Sequence, residues 1–161
     1  MPILLTIVVA IANAVIASSV STPLSTYDWP IPLPHSVVRP FEAPPHPWSA
    51  GHRGVDLAAT PGTVVTAAGP GIVIFSGVVA GRGVITVRHP DGRRTTYEPL
   101  EARLPRSSPV AAGTPIGRLS ETGSHCAPRS CLHWGLLVGE DEYRDPLTLL
   151  ARPEIVLLPL T

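Results

Sequence analysis

His52 and Asp56 lie four residues apart in Gly51-His-Arg-Gly-Val-Asp-Leu-Ala-Ala59, and His133 closes Cys131-Leu-His133 far downstream. One carboxylate and two imidazoles make a three-donor set that suits Zn²⁺ with one coordination position left open. An open position is what hydrolytic chemistry needs, because water there loses a proton near neutral pH. Gly51 and Gly54 disfavour a helix through this stretch. In an extended chain, residues i and i+4 share a face, so His52 and Asp56 can converge. The same period of two puts Cys131 and His133 on one face of a later strand, and pairing the two strands would complete the set.

The elements that must position these donors read as short β-branched runs broken by Gly and Pro. Strands are expected at Val55–Ala58, Thr63–Ala67, Gly71–Ser76, Val84–Arg88, Arg94–Glu98, Pro115–Leu119 and Leu132–Val138. Pro61-Gly62, Gly69-Pro70-Gly71, Pro90-Asp91-Gly92 and Ala112-Gly113 supply the turns. The expected fold is all-β, an antiparallel meander folded into two packed sheets, with at most a helical turn near Pro146–Leu150. His133 would face the site and Trp134 the core. His89, beside the Asp91-Gly92 turn, is expected to cap or pack there.

Residues 22–47 carry Pro23, Pro30, Pro32, Pro34, Pro40, Pro44, Pro45 and Pro47, a density that argues against helix and sheet and predicts an extended leader. Trp29, Phe41 and Trp48 are expected to pin it to the domain. Residues 1–21 are nearly all apolar and end in small residues, as a secretory signal peptide or an uncleaved anchor would. Both readings put the remainder outside the cytoplasm, secreted or in the cell envelope and, once a signal is cleaved, free of the membrane. Residues 48–150 form the domain and 151–161 a tail. With 161 residues, one domain is expected. Arg and acidic residues balance to a formal charge of zero, so nothing suggests nucleic acid or an anionic membrane surface as partner.

Gly51-His-x-Gly-Val-Asp-Leu-Ala-Ala, Pro61-Gly-Thr-x-Val-x-Ala-Ala-x-x-Gly71-x-Val, Ile116-Gly117, Leu132-His133-Trp134 and Tyr143-Arg-Asp-Pro-Leu147 occur in that order. Together they resemble the lysostaphin/LytM-like zinc endopeptidases that cut peptidoglycan peptide bridges, from about Trp48 to Leu150. The resemblance implies Zn²⁺ on His52, Asp56 and His133, and peptidoglycan or its peptides as partner. A lipoyl- or biotin-carrier hairpin, which the Pro61–Gly71 segment also suggests, needs a lysine, and the chain has none.

The match breaks at two positions. The family's Tyr-x-His-Leu segment reads Tyr97-Glu98-Pro99-Leu100 here, and the first histidine of its His-x-His pair is Cys131. Losing a general base costs roughly 10²–10⁴ in rate, and losing a charge-stabilising donor roughly 10²–10³. Glu98 and His125 are the candidate replacements as catalytic groups. An ideal strand would aim Glu98 away from the lost histidine's face, so a bulge or strand end at Pro99 would have to turn it inward. Cys126 and Cys131, the two cysteines, suit a disulfide in an exported protein. Alternatively, Cys131 closes the zinc site as a fourth, thiolate ligand, which would make the site structural. The functional expectation is a zinc metalloendopeptidase acting on peptidoglycan. Its rival is a silent zinc-stabilised module that binds wall peptides or regulates another hydrolase.

Overall fold

A computed structural model describes residues 26–46 and 48–150. The proposed signal or anchor segment and the C-terminal tail lie outside the described residues. Within them the chain is almost wholly strand: β1 Val37–Arg39, β2 Gly54–Ala58, β3 Val64–Thr66, β4 Gly71–Val79, β5 Arg82–Arg88, β6 Arg94–Glu98, β7 Leu100–Glu101, β8 Pro109–Val110, β9 Pro115–Leu119, β10 Cys131–Leu137 and β11 Tyr143–Arg144. A 3-10 turn, Pro146–Leu149, follows, with the Asp145 carboxylate accepting from Leu147 N at 2.9 Å. No helix among the described residues is long and apolar enough to cross a membrane.

Eight strands form one antiparallel sheet in the order β1-β2-β10-β6-β5-β4-β8, with β11 added to β10, while β3-β9-β7 form a second sheet. Alternation sets the core. From the large sheet, Val55, Leu57, Ile85, Tyr97, Leu132 and Trp134 are fully buried, and from the small sheet Val65, Leu100, Ile116 and Leu119 join the same cluster. Truncating Trp134 within such packing costs roughly 3–5 kcal/mol.

Each of the seven expected strands has a counterpart, and the largest boundary difference has a clear cause. β4 runs on past its expected end at Ser76, and β5 starts before its expected beginning at Val84, to meet in a hairpin turn at Ala80-Gly81 with φ of 48° and 80°. Two consecutive positive φ values match the right-handed twist of the strands. Glycine supplies one without strain.

The leader departs further from expectation. His35–Arg39 is free of proline, and within it β1 pairs antiparallel with β2, so the proline density did not exclude a strand. Trp29 packs against the core with its ring 6.2 Å from that of Trp134, and Phe41 also packs there. Trp48 does not pin anything. It is 96% exposed, on a turn closed by Ser49 N donating to His46 O.

Candidate metal centre

Three adjacent strands bring the chemistry to one face. In β2–β10 the register sets His133 opposite Asp56, and in β10–β6 it sets His133 opposite Glu98. Asp56, His133 and Glu98 therefore stand side by side, while their neighbours Val55, Leu57, Leu132, Trp134 and Tyr97 point into the core. His52 arrives just before β2, fixed by paired main-chain bonds with Glu42 of 2.8 and 3.0 Å. Gly54 leaves room for the His133 ring: a Cβ there would sit 2.8 Å from Nε2. No other residue type fits without moving that imidazole.

The donor atoms converge tightly. His52 Nε2 is 3.1 Å from Asp56 Oδ1 and 3.1 Å from His133 Nδ1, and His133 Nδ1 is 2.9 Å from Asp56 Oδ1. His52 Nδ1 lies 2.7 Å from the Pro40 carbonyl, which only accepts, so Nδ1 carries the hydrogen and neutral His52 presents a lone pair at Nε2. That lone pair faces a carboxylate oxygen and another imidazole nitrogen. Asp56 is 1% exposed, and its second oxygen, Oδ2, has no hydrogen-bond partner. A buried, electron-rich triangle with an orphaned carboxylate oxygen fits a divalent cation. Burial resists ionisation of Asp56, but the His125 and His133 imidazoles beside it outweigh that, holding the carboxyl well below its usual range.

His125 and Glu98 complete the cluster. His125 Nδ1 is 3.7 Å from Asp56 Oδ1, and its Nε2 is 3.1 Å from Glu98 Oε1. The two carboxylates, Asp56 and then Glu98, raise the imidazole to about 9 against the opposing effect of burial. Burial pushes the Glu98 carboxyl up, but the His125 bond and the charge of Arg82, 3.4 Å away, bring it below its ordinary value. His52, Asp56, His125 and His133 offer ligand atoms all within 4.8 Å of one another.

The structure thus gathers every candidate residue read from the sequence. Glu98 needs no bulge at Pro99 to face inward, since the regular pairing with His133 already puts it there. Cys131 does not act as a thiolate ligand. It is bonded to Cys126, with Cα atoms 5.9 Å apart, and among the described residues no cysteine is free.

Three contributors escaped the sequence reading. The Pro40 carbonyl orients His52, and a main-chain oxygen leaves no signature in residue type. Arg82 pairs with Glu98 across a non-local contact. Ser124 accepts from Cys126 N and Cys131 N, both at 3.1 Å. Its place in Gly-Ser-His-Cys was the one available hint.

Residues 50–146 match the model of peptidase family M23. An uncharacterized protein of Mycobacterium tuberculosis is 46% identical over 140 residues, which cover 85% of this chain and 56% of that protein. The DD-carboxypeptidase/endopeptidase Mpg of Neisseria meningitidis is 32% identical over 111 residues, 68% of this chain and 25% of its own. The murein hydrolase activator NlpD of Escherichia coli is 31% identical over 107 residues, 65% and 27% respectively. The chain therefore spans about half, or less, of the length of these relatives. Among solved structures, Csd3 of Helicobacter pylori superposes with a TM-score of 0.65 and 26% identity over 84% of this chain and 37% of that one. On the family match across most of the β domain, with the His52, Asp56 and His133 donors inside it, the chain belongs to peptidase family M23.

Proposed function

We propose that this domain is a zinc metalloendopeptidase acting on peptide bonds of peptidoglycan at the cell envelope, outside the cytoplasm. The observation that carries this reading is the convergence of His52 Nε2, Asp56 Oδ1 and His133 Nδ1 within 3.1 Å of one another, with the second Asp56 oxygen, Oδ2, left without a partner. Tetrahedral ligands at about 2.0–2.1 Å from zinc stand about 3.3–3.4 Å apart. The ion would open each edge of the triangle by only a few tenths of an ångström. Zinc at such a site supplies Lewis acidity and makes water nucleophilic near neutral pH.

The chain's own residues do the rest. His52, Asp56 and His133 hold the ion, and the Pro40 carbonyl fixes the His52 tautomer, as outer partners of ligating histidines commonly do. Glu98 accepts from His125 Nε2, which turns Nδ1 toward the ligands. In that pose His125, held as an imidazolium by the two carboxylates it faces, can present its Nδ1 proton beside the cation to developing negative charge, with Glu98 stabilising the charged ring, part of the work the resemblance assigns to histidines missing at Pro99 and Cys131. Peptidoglycan as substrate draws support from the Mpg and NlpD relatives. A location outside the cytoplasm draws support from the disulfide.

A second reading, a zinc-stabilised module that binds wall peptides or regulates another wall hydrolase, is favoured by the NlpD relative and by the two missing family histidines. Incubating the zinc-loaded protein with peptidoglycan and a panel of its stem and bridge peptides separates the two. New amino termini, absent in Asp56→Ala, support the peptidase. Zinc binding with no cleavage anywhere in the panel overturns it in favour of the module.

A further inference from the structure

Strands carry Asp56, Glu98 and His133, and His52 is fixed beside β2 by its bridge to Glu42, whereas His125 stands on neither. It sits on the loop between β9 and β10, and its side chain keeps 26% of its exposure. Two devices tie that loop down. The residue directly after His125, Cys126, is bonded to Cys131 at the start of β10. Ser124, directly before it, accepts from the main-chain N–H of both cysteines. His125 is thus bracketed by attachments to a strand whose next site-facing residue is His133. That strand is paired with β2 and β6 through registers that do not involve the loop.

We propose that the Cys126–Cys131 disulfide is a positioning element that holds His125 against Glu98 and Asp56, so that the fifth group of the site is present only in the oxidised protein. The inference rests on the reading that His52, Asp56 and His133 hold the cation. Those three stand on or beside strands that keep their pairing when the S–S bond opens, whereas His125 does not. A dithiol reductant opens it by exchange: its thiolate attacks one cysteine sulfur, the S–S bond breaks, and its second thiol resolves the mixed disulfide. Two electrons and two protons pass to Cys126 and Cys131, and the reductant leaves as its own disulfide. Reduction then frees the loop and removes His125 while the three-donor set stays in place.

The test compares wild type, Cys126→Ser/Cys131→Ser, His125→Ala and the triple variant, each as the full chain with circular dichroism confirming the β fold. The metal-free readout is carbethoxylation of His125 by diethyl pyrocarbonate, followed by peptide mass mapping. Slow modification in oxidised wild type, rising several-fold in the double serine variant and in dithiothreitol-treated wild type, is expected. Zinc affinity should stay within a few-fold throughout. Turnover of peptidoglycan peptides should fall by roughly 10²–10⁴ in the double serine variant. The triple variant should lose nothing more than His125→Ala alone, the non-additivity of two changes acting through one group. Equal His125 reactivity with the disulfide open or closed overturns the inference, as do multiplying effects in the triple variant. If no form cleaves peptide, the peptidase reading fails, and the carbethoxylation result still decides this one.

Discussion

Two histidines of this chain, His52 and His89, are equally buried at 3% exposure, and each sets one ring nitrogen 2.7 Å from a proline carbonyl, Pro40 for the first and Pro70 for the second. Their other nitrogens differ. His89 Nε2 accepts from Thr95 Oγ1 at 2.8 Å, Thr95 accepts from the Tyr97 hydroxyl at 2.8 Å, and Tyr97 accepts from Ala68 N at 2.9 Å. That chain runs donor to acceptor from end to end and leaves nothing to bind. His52 Nε2 faces a carboxylate oxygen and an imidazole nitrogen, and beside them Asp56 Oδ2 has no partner. Burial and residue type are the same. The direction of the hydrogen bonds separates a histidine satisfied within the protein from the one proposed to meet a cation.

That contrast is exposed to test, most strongly through zinc itself. A ligand that binds only the folded state at 1,000 times its Kd stabilises by about 4 kcal/mol. Wild type and His89→Ala should both gain about that much in chemical denaturation when saturated with zinc, and His133→Ala should gain none. An equal gain in His133→Ala would break the distinction. Next in size is Tyr97→Phe, which removes the middle of the satisfied chain and leaves buried Thr95 and Ala68 groups short of a partner. A loss of about 1–3 kcal/mol is expected with zinc affinity unchanged. A variant as stable as wild type would show that the chain holds nothing together.

The smallest effect is a pH dependence. Burial holds the His89 imidazole below its ordinary 6.5, with the charges of Asp91 and Arg93 pulling in opposite directions. The unfolded chain takes up its proton first as pH falls. The stability owed to neutral His89 is therefore full above 6.5 and is lost as pH drops through the lower folded value. In zinc-free protein, the stability gap between wild type and His89→Gln should narrow as pH is lowered below 6.5. A gap that stays constant would place the folded His89 at its ordinary value.

Much of the site was legible because it depends on local order. The alternation His133 out, Trp134 in, and the i, i+4 spacing of His52 and Asp56 survive in the fold. What was not legible depends on pairing. The face of Glu98 is decided by the β6–β10 register, a relation between segments more than thirty residues apart in the sequence. The leader was read from its prolines as lying outside the sheets, yet the proline-free Val37–Arg39 pairs with β2, and the Pro40 carbonyl beside it orients His52. For His89, capping at the turn and packing were both open, and the directional chain through Thr95 and Tyr97 emerges only once three strands are assembled.

The most direct measurement is a calorimetric zinc titration of the purified protein beside His133→Ala. Wild type should bind one zinc per chain, and His133→Ala should bind more than roughly 10²-fold more weakly, beyond the 10–100-fold cost of disturbing an outer-shell partner. Stoichiometric binding that survives His133→Ala, or no binding by wild type, would contradict the assignment of His52, Asp56 and His133 to a single cation.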